Sequence, residues 1–426
     1  MDIDRLRTET PAAENGIYLN NAGCSLMPRP VIGAVQDYFA LEARIGGFGA
    51  ATREAEAIAA VYASLASLIN AKPNEIALMG SHTAAWQSVF YGLSFTEGDR
   101  ILTSRSEYGA NYVAFLQMRK RTGCAIDVIP CGDDGATDTA ALEQMIDDRA
   151  KLIAINWIPT NGGLMNPAAE IGRVARAHGI PYLLDACQAV GQMPVDVEEL
   201  GCDFLTATGR KWLRGPKGTG FLYVREARLA SGQPEPAMID DFGAPWKKPD
   251  AYELVASARR YETHEYEPAL RLGLGAAAEY ALALGLDEIR ERVRRLAEGL
   301  RAELGRIPGI TVHDLGAEHA GLVTFAHDAV APGAIAQALE GEAIFIKVVP
   351  REGALLDSTA RQLSQILRAS PHYFNAEGSF LDTLARDIPE LVRASPHYFN
   401  GEEELETFLR ALRKVTGSSS AAIRRQ

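Results

Sequence analysis

Short apolar segments alternate with amphipathic helical segments from about residue 52 to 225, and no other feature constrains the fold as strongly. The segments predicted as strands are 76–79, 100–103, 125–129, 152–156 and 182–184. The segments predicted as helices are 54–69, 84–93, 110–121, 140–146 and 168–177. This alternation predicts an α/β fold, a mostly parallel sheet with helices on both faces. Ligands bind such sheets beyond the carboxyl ends of the strands.

The pattern changes after about residue 256. Two long helical stretches, 268–284 and 286–304, lead into an alternating run at 310–312 and 322–325, which predicts a smaller α+β domain. A length of 426 residues also suits one large and one smaller domain. We therefore expect an N-terminal segment at 1–20, a large domain at 21–255 and a small C-terminal domain at 256–426.

A tandem duplication lies inside the predicted small domain. Residues 356–375 recur 25 positions later at 381–400, and both copies contain Arg-Ala-Ser-Pro-His-Tyr-Phe-Asn. Two copies are too few for a solenoid. Either the extra copy forms an excursion on the small domain, or one copy serves a binding site while the other has been released from that role.

Charge and cysteine content exclude several functional classes. A formal net charge of -12 argues against nucleic acid or an anionic membrane as partner. No apolar run is long enough to span a bilayer and residues 1–4 do not resemble a secretory leader, so we expect a cytoplasmic protein. The five cysteines are scattered and lack metal-ligand spacing, so neither a disulfide framework nor a metal site is expected.

Two apolar runs end in residues suited to pyridoxal phosphate. Asp185 follows the first run, and Lys211 follows a second run at 204–207. This cofactor needs a carboxylate at its pyridine nitrogen and a lysine amine at its aldehyde. Gln188 is placed to bond the phenolic oxygen, and Tyr108 to stack on the ring. Taken singly, Asp185 also suits a helix cap, Lys211 a solvated surface position and Tyr108 a core position.

The turn at residues 80–83 suits the cofactor's phosphate. A strand-to-helix turn supplies backbone amides, and Ser81, His82 and Thr83 add polar side chains. Thr208 and Arg210 are expected to complete the anion site from the lysine loop. The alternative is that Ser81 or Thr83 simply caps the helix.

Several motifs together resemble one enzyme family. They are residues 18–23 (YLNNAG), 159–164 (PTNGGL), the Asp185-x-x-Gln188 pair, 210–216 (RKWLRGP), 260–263 (RYET) and the repeated octapeptide. This set resembles the class V aminotransferase branch of the fold-type I pyridoxal phosphate enzymes. The group includes cysteine desulfurases, isopenicillin N epimerase and the carbon–sulfur lyases of ergothioneine-type pathways.

The resemblance implies roles for individual residues. Lys211, Asp185 and Tyr108 are the expected catalytic residues, with Lys211 forming the Schiff base. The expected cofactor-binding residues are Ser81, His82, Thr83, Tyr108, Asn156, Asn161, Asp185, Gln188, Thr208, Arg210, Lys211 and Thr263. Thr263 is similar to a residue that reaches the phosphate of the neighbouring subunit, which implies a homodimer.

The resemblance also implies a substrate-binding set. Asn21 and the arginine that opens the octapeptide are expected to bind an amino-acid substrate, the arginine through the α-carboxylate. The duplication leaves Arg368 and Arg393 as candidates. Arg368 follows directly on the run from residue 348, as in the family. We favour Arg393, because residues 401–405 and a plausible final helix follow it.

The cysteine distribution separates the possible reactions. No cysteine occurs after Cys202, which argues against desulfuration by the usual persulfide route. The leading hypothesis is a β-eliminating carbon–sulfur lyase that acts on an S-substituted cysteine or its sulfoxide. An epimerase or an aminotransferase is the alternative enzyme. A catalytically silent binding protein, its carboxylate pocket blocked by the duplicated segment, is the alternative from another class.

Overall fold

The computed structural model describes residues 1–370 and residue 372, and these form two compact units. The larger unit comprises Pro30–Ile158 and Asn166–Ala283. The smaller unit comprises Met1–Arg29, Pro159–Met165 and the chain from Leu284 onward. The sequence interpretation instead put its boundaries at 20/21 and 255/256. Its domain assignment stays a prediction, since compactness alone does not define domains.

The strands are β1 (Ile17–Tyr18), β2 (Ile76–Met79), β3 (Arg100–Thr103), β4 (Ala125–Val128), β5 (Ala150–Asn156), β6 (Tyr182–Asp185), β7 (Phe204–Thr208), β8 (Gly220–Val224), β9 (Trp246–Lys248), β10 (Ala251–Tyr252), β11 (Ile310–Val312), β12 (Val323–His327), β13 (Ile344–Phe345), β14 (Lys347–Pro350) and β15 (Gln365–Ala369). The α-helices are α1 (Ile3–Thr8), α2 (Arg29–Ile45), α3 (Gly47–Arg53), α4 (Ala55–Leu68), α5 (His82–Phe90), α6 (Gly109–Thr122), α7 (Thr139–Met145), α8 (Ala168–Ala177), α9 (Val197–Leu200), α10 (Glu226–Ser231), α11 (Pro268–Leu284), α12 (Leu286–Leu304), α13 (Pro332–Glu340) and α14 (Leu355–Ala360).

A seven-stranded sheet forms the centre of the larger unit. Its strand order is β2-β8-β7-β6-β5-β3-β4. Strands β7, β6, β5, β3 and β4 are parallel, whereas β8 pairs antiparallel with both β7 and β2. All residues of β6, β7 and β8 are buried, as expected for strands covered on both faces. The predicted α/β fold class is confirmed.

Aromatic packing joins α5 to α6. Trp86 of α5 lies 5.4 Å from Phe115 of α6, between ring centroids, and Phe90 contacts both rings. All three side chains are fully buried. Burial of such large apolar groups is the main stabilising contribution to a core. It fixes the two helices whose first turns carry His82 and Tyr108.

The smaller unit has its own sheet and core. Strands β11, β12, β15 and β14 form an antiparallel sheet in that order, and β1 pairs in parallel with β13. Apolar side chains of α12, α13 and the sheet form one buried cluster, which includes Leu300, Leu304, Phe325, Leu339 and Leu367. The first repeat copy contributes α14 and β15. The second copy lies outside the described residues.

Among the described residues, no single helix is long and apolar enough to cross a membrane. The consecutive helices α11 and α12 meet such a test only when they are taken together, and then by length and composition alone.

Candidate active site

A buried carboxylate stands at the carboxyl end of β6. Asp185 is 5% exposed, and its Oδ1 accepts a hydrogen bond from the Cys187 backbone N–H at 2.9 Å. Its Oδ2 lies 3.2 Å from both the Asn111 side-chain amide and His82 Nε2. These nitrogens surround a carboxylate, the kind of group that pairs with a protonated pyridine nitrogen.

A tight loop after β7 presents Lys211. The Gly215 N–H bonds the Gly209 carbonyl at 2.7 Å, and the Arg214 N–H bonds the Lys211 carbonyl at 3.0 Å. Arg214 takes a left-handed φ of 64° to close this turn. Lys211 is half-buried, and its positive charge is among the causes that lower the pKa of His82. The lysine amine therefore acts electrostatically on the group that contacts Asp185.

The loop after β6 packs directly on the lysine loop. Gly191 has a φ of +93°, and a Cβ there would lie 2.4 Å from the Leu213 nitrogen, so only glycine fits. Across the same contact, Trp212 Nε1 donates to Gln188 Oε1 at 2.7 Å. Because Gln188 Oε1 is an acceptor here, its amide Nε2 is the end suited to donate to a phenolic oxygen.

The start of α5 supplies the predicted phosphate cradle. Ser81 is the N-cap, and its Oγ accepts from the Ala84 N–H at 3.1 Å, so it fills the capping role that the sequence left open. His82 is buried and Thr83 is half-buried in the first turn. Gly220 of β8 lies against this turn, since a Cβ there would be 2.9 Å from the His82 nitrogen.

Two further predicted cradle residues come from the end of β7. Thr208 is buried, and its hydroxyl donates to the Thr219 carbonyl at 3.2 Å. Arg210 is half-buried, and its charge also lowers the pKa of His82. Both residues therefore lie near the start of α5, and their roles toward a phosphate remain predictions.

Tyr108 and Asn156 also lie at this edge of the sheet. The Tyr108 ring is half-buried, with its centroid 6.4 Å from that of His82. Asn156 is paired in register with Asp185 on the neighbouring strand. Its amide donates to the Ser106 carbonyl at 2.8 Å, and its Oδ1 accepts from Ser104 at 3.2 Å.

Thr263 lies at an exposed position of the larger unit. It lines a cavity of about 620 Å³ together with Gly80, Thr219 and Gly220, and its hydroxyl donates to the Glu265 carbonyl at 3.4 Å. Its expected contact with a neighbouring subunit remains a prediction.

The smaller unit brings together Arg368 and Asn161. Arg368 Nη1 donates to the Thr160 carbonyl at 2.9 Å and contacts the Thr160 hydroxyl at 2.6 Å. Asn161 Nδ2 donates to Asp357 at 3.0 Å. Arg368 and Asn161 are both buried. The turn that carries Asn161 is thus bound to the first repeat copy, while Arg393 lies outside the described residues.

Asn21 belongs to the same unit and also contacts the first repeat copy. Its amide donates to the Ser370 carbonyl at 3.1 Å, and its Oδ1 accepts from Ser25 at 2.8 Å. The amide oxygen and nitrogen are both used within the protein, which makes Asn21 a structural link between the N-terminal turn and β15.

The residues around Asp185 fit pyridoxal phosphate. Burial is the largest cause of a lowered pKa at His82, so its imidazole is neutral at neutral pH. With Nε2 directed at Asp185, Nδ1 is buried and lacks a hydrogen-bond partner within the described chain. An unpartnered polar atom, an ionised carboxylate and a lysine amine at one sheet edge are what a polar aromatic cofactor requires.

The same residues suit a metal ion poorly. Ligand atoms of His82, Asp185 and Cys187 lie within 4.8 Å of one another. Burial, and then the charge of Asp185, raise the pKa of the Cys187 thiol well above its ordinary value. A thiol that stays protonated is a weak ligand, because metals bind the thiolate.

Several residues of the site were missed by sequence reasoning. They are Glu107, Asn111 and Trp212 of the larger unit; in the smaller unit, taken by itself, the contacts of Thr160 with Arg368 and of Asp357 with Asn161 were also missed. The signal for Glu107 and Asn111 was their spacing of four across the start of a helix, beside a predicted ring-stacking tyrosine. Trp212 gave no such signal, since a tryptophan next to a lysine has no distinctive pattern.

Comparisons with known proteins identify the family and the fold of this chain. The Aminotransferase class-V family model matches residues 17–408. A probable cysteine desulfurase of Pyrococcus abyssi is 30% identical over 384 residues, which cover 87% of this chain and 93% of the relative. The apo cysteine desulfurase from Thermococcus onnurineus NA1 superposes with a TM-score of 0.84 at 24% identity, covering 98% and 99% of the two chains. A complex between the cystine C–S lyase C-DES and its reaction product cysteine persulfide superposes with a TM-score of 0.75 at 24% identity. The match covers 85% of this chain and 95% of that chain.

The fold and site thus define a pyridoxal-phosphate-dependent enzyme of fold-type I. The chain belongs to the class V aminotransferase family, which confirms the family and cofactor predicted from the motifs.

Proposed function

We propose that this enzyme is a carbon–sulfur lyase that releases a thiol from an S-substituted cysteine, or a sulfenic acid from its sulfoxide, by β-elimination. The relatives named as cysteine desulfurases support cleavage of the carbon–sulfur bond of a cysteine-type substrate. The observation that carries the choice of elimination is the distribution of cysteines, because none follows Cys202.

Two of the five cysteines are poor sulfur acceptors because of their surroundings. Cys124, Cys187 and Cys202 are buried, whereas Cys24 and Cys131 are half-buried. Burial raises the pKa of Cys202 to about 12 and that of Cys187 well above its ordinary value. Only the thiolate is nucleophilic, so neither attacks a substrate sulfur at neutral pH. The high pKa values of these two thiols support a reaction in which the sulfur leaves with its own substituent rather than on the enzyme.

Asp185 and Lys211 have different roles in the proposed elimination. Bound pyridoxal phosphate supplies an aldehyde for the substrate amine and a ring that withdraws electrons from Cα. Asp185 holds the positive charge on the ring nitrogen. Lys211 takes the Cα proton as general base while the Cβ–S bond breaks. Water then completes the reaction, so S-alkylcysteine and water give thiol, pyruvate and ammonia.

We propose Arg368, rather than Arg393, for the substrate carboxylate. Support comes from its place in β15, which is hydrogen-bonded on both sides by β12 and β14. Contacts with Thr160 orient the guanidinium, and a fixed guanidinium suits a bidentate grip on a carboxylate.

We also propose that the enzyme is a homodimer. Met238 and Tyr266 are exposed apolar side chains that line the same cavity as Thr263, and such surfaces mark interaction sites. Sedimentation equilibrium of the loaded enzyme should give twice the chain mass. A monomer at micromolar concentration contradicts this proposal.

The lyase assignment is tested with purified, cofactor-loaded enzyme and an S-alkylcysteine. Thiol and pyruvate should appear in equal amounts, and Lys211→Ala should abolish both. Recovered racemised substrate without product rejects elimination, and solvent deuterium at Cα of that substrate then indicates epimerisation. Conversion of the cofactor to its amine form indicates transamination.

A further inference from the structure

A second buried carboxyl group lies behind Asp185. Glu107 is 3% exposed and stands between β3 and α6. Its Oε1 accepts from the Tyr108 N–H at 2.8 Å and from Asn111 Nδ2 at 3.0 Å. Its Oε2 lies 3.0 Å from the Thr103 hydroxyl. No ion pair to Glu107 occurs in the part of the chain that the structure describes.

Asn111 connects the two carboxyl groups. Its amide nitrogen donates to Glu107 Oε1 and also to Asp185 Oδ2, at 3.0 and 3.2 Å. The Asn111 amide thus bridges Glu107 and Asp185, the residue expected to pair with the ring nitrogen of the cofactor. Glu107 also holds the backbone of Tyr108, the residue expected to stack on the ring.

The charged groups near Asp185 differ from those near Glu107. Asp185 faces the His82 ring, on which the charges of Lys211 and Arg210 also act. Among the described residues, Glu107 is hydrogen-bonded by the neutral Thr103, Tyr108 and Asn111, and it also feels the negative charge of Asp185. Burial, and then the charge of Asp185, raise the pKa of Glu107 to about 8. When two carboxyl groups share a buried site, such a difference leaves one ionised and the other protonated.

We propose that Glu107 is a positioning residue that acts as a neutral carboxylic acid, holding Asn111 against Asp185 and Tyr108 against the ring so that Asp185 alone carries the negative charge of the site. Its proton resides on Oε2, because Oε1 already accepts two N–H groups, whereas Oε2 contacts the Thr103 hydroxyl, a group that can rotate to donate or to accept. This inference depends on the cofactor site and not on the proposed elimination. Its tests therefore need no substrate.

The first test measures binding of pyridoxal phosphate to apoprotein at pH 7 for three variants. Glu107→Gln keeps a neutral side chain that can both accept and donate hydrogen bonds. Its Kd for pyridoxal phosphate should therefore stay within about twofold of the wild-type value. Glu107→Ala should weaken binding by about tenfold or more, the usual consequence of leaving a buried hydrogen-bonding group without its partner. Glu75→Ala is the matched control, since Glu75 is also buried and also accepts from backbone N–H groups, but at Lys72 and Glu226.

Equal weakening by Gln and Ala overturns the proposal, because it requires an anion at residue 107. Unchanged binding by Glu107→Ala also overturns it. If Glu107→Ala does not fold, Asn111→Ala replaces it, since that change removes the bridge and leaves the bonds of Glu107 to Thr103 and Tyr108. It should weaken binding by a similar factor.

The second test is the pH dependence of apoprotein stability. Because the folded-state pKa of Glu107 is raised from 4.5 to about 8, folded wild type keeps a proton that the unfolded chain has released, so stability falls as pH rises between these two values and levels off above about 8. Glu107→Gln lacks this proton. The Tm of wild type relative to Glu107→Gln should therefore decrease between about pH 5 and pH 8. A constant difference over that range contradicts a protonated Glu107.

Discussion

Glu262 shows how the larger unit holds a charge that has been removed from water. Its side chain is fully buried, and its Oε2 accepts from Arg271 Nη1 at 2.7 Å. Its Oε1 accepts from the Tyr62 hydroxyl at 2.8 Å and the Leu78 N–H at 3.0 Å. Desolvation of a carboxylate is costly, and only several donors together offset it. Removal of one partner leaves the remaining charge without compensation.

Arg271→Ala should therefore lower the free energy of unfolding by about 3–5 kcal/mol, the cost of breaking a buried ion pair. The matched control is Arg294→Ala, because Arg294 forms ion pairs with Glu291 and Glu298 on an exposed face of α12. Exposed pairs contribute about 0–1 kcal/mol. Urea unfolding of both variants measures the difference, and equal losses for the two arginines contradict the argument.

Substitution of the two repeat arginines, Arg368 and Arg393, tests which of them binds the substrate carboxylate. Arg368→Ala should raise the KM for an S-alkylcysteine at least about tenfold, because a carboxylate loses a charge-assisted bidentate partner. Arg393→Ala is the matched variant, with the same flanking octapeptide, and should leave KM within about twofold. Steady-state kinetics of both decides between the copies. The reverse pattern assigns the substrate carboxylate to Arg393.

At the scale of elements, the first turn of α5 depends on the close approach of β8. A Cβ at Gly220 would lie 2.7 Å from the Ser81 carbonyl carbon and 2.9 Å from the His82 nitrogen. Real Cβ atoms do not approach backbone this closely, so any side chain here displaces the start of α5. The backbone amides at that point are the ones expected to bind the phosphate.

Gly220→Ala should thus weaken binding of pyridoxal phosphate by about tenfold or more, because the amides of α5 move from their aligned positions. Fluorescence titration of the apoprotein measures the Kd. Gly33→Ala in α2 is the control, since a Cβ there meets nothing within 4 Å. It should leave Kd unchanged and raise helix stability slightly. Equal Kd values for the two variants are incompatible with this role of Gly220.

The sequence predicted the elements of the sheet better than their arrangement. Apolar runs bounded by turns located β2, β3, β5 and β6 to within a residue or two, because buried parallel strands consist almost wholly of apolar residues. The antiparallel insertion of β8 between β2 and β7 was not predictable, since an apolar run carries no information on strand direction. Asp185 and Lys211 were predicted as site residues because they lie at or shortly after the ends of such runs.

For the molecule as a whole, the division into two compact units was the feature hardest to predict from the sequence. Residues 159–165 lie in the middle of the larger unit's sequence, but they belong to the smaller unit through contacts of Thr160, Asn161 and Gly163 with Arg368, Asp357 and Asp314. These pairs are separated by more than 150 residues, and no local pattern encodes them. The Asn161–Asp357 link, like the Asn111 bridge, depends on tertiary placement.

The duplication can also be tested at this scale. Copy one already supplies β15, whose Leu367 lies in the core of the smaller unit and whose neighbours β12 and β14 are both paired to it. Deletion of residues 376–400 joins Asn375 directly to Gly401. The deleted protein keeps the first copy of the repeat, followed by residues 401–426 as in the full sequence. Because copy one already supplies the paired strand β15, and a change in chain length typically costs only about 0.6 kcal/mol per doubling, the deleted protein should unfold within about 1 kcal/mol of wild type. Its KM for an S-alkylcysteine should also be unchanged. Denaturant unfolding and steady-state kinetics check both values, and a deleted protein that folds but has lost substrate binding shows that the second copy has a function of its own.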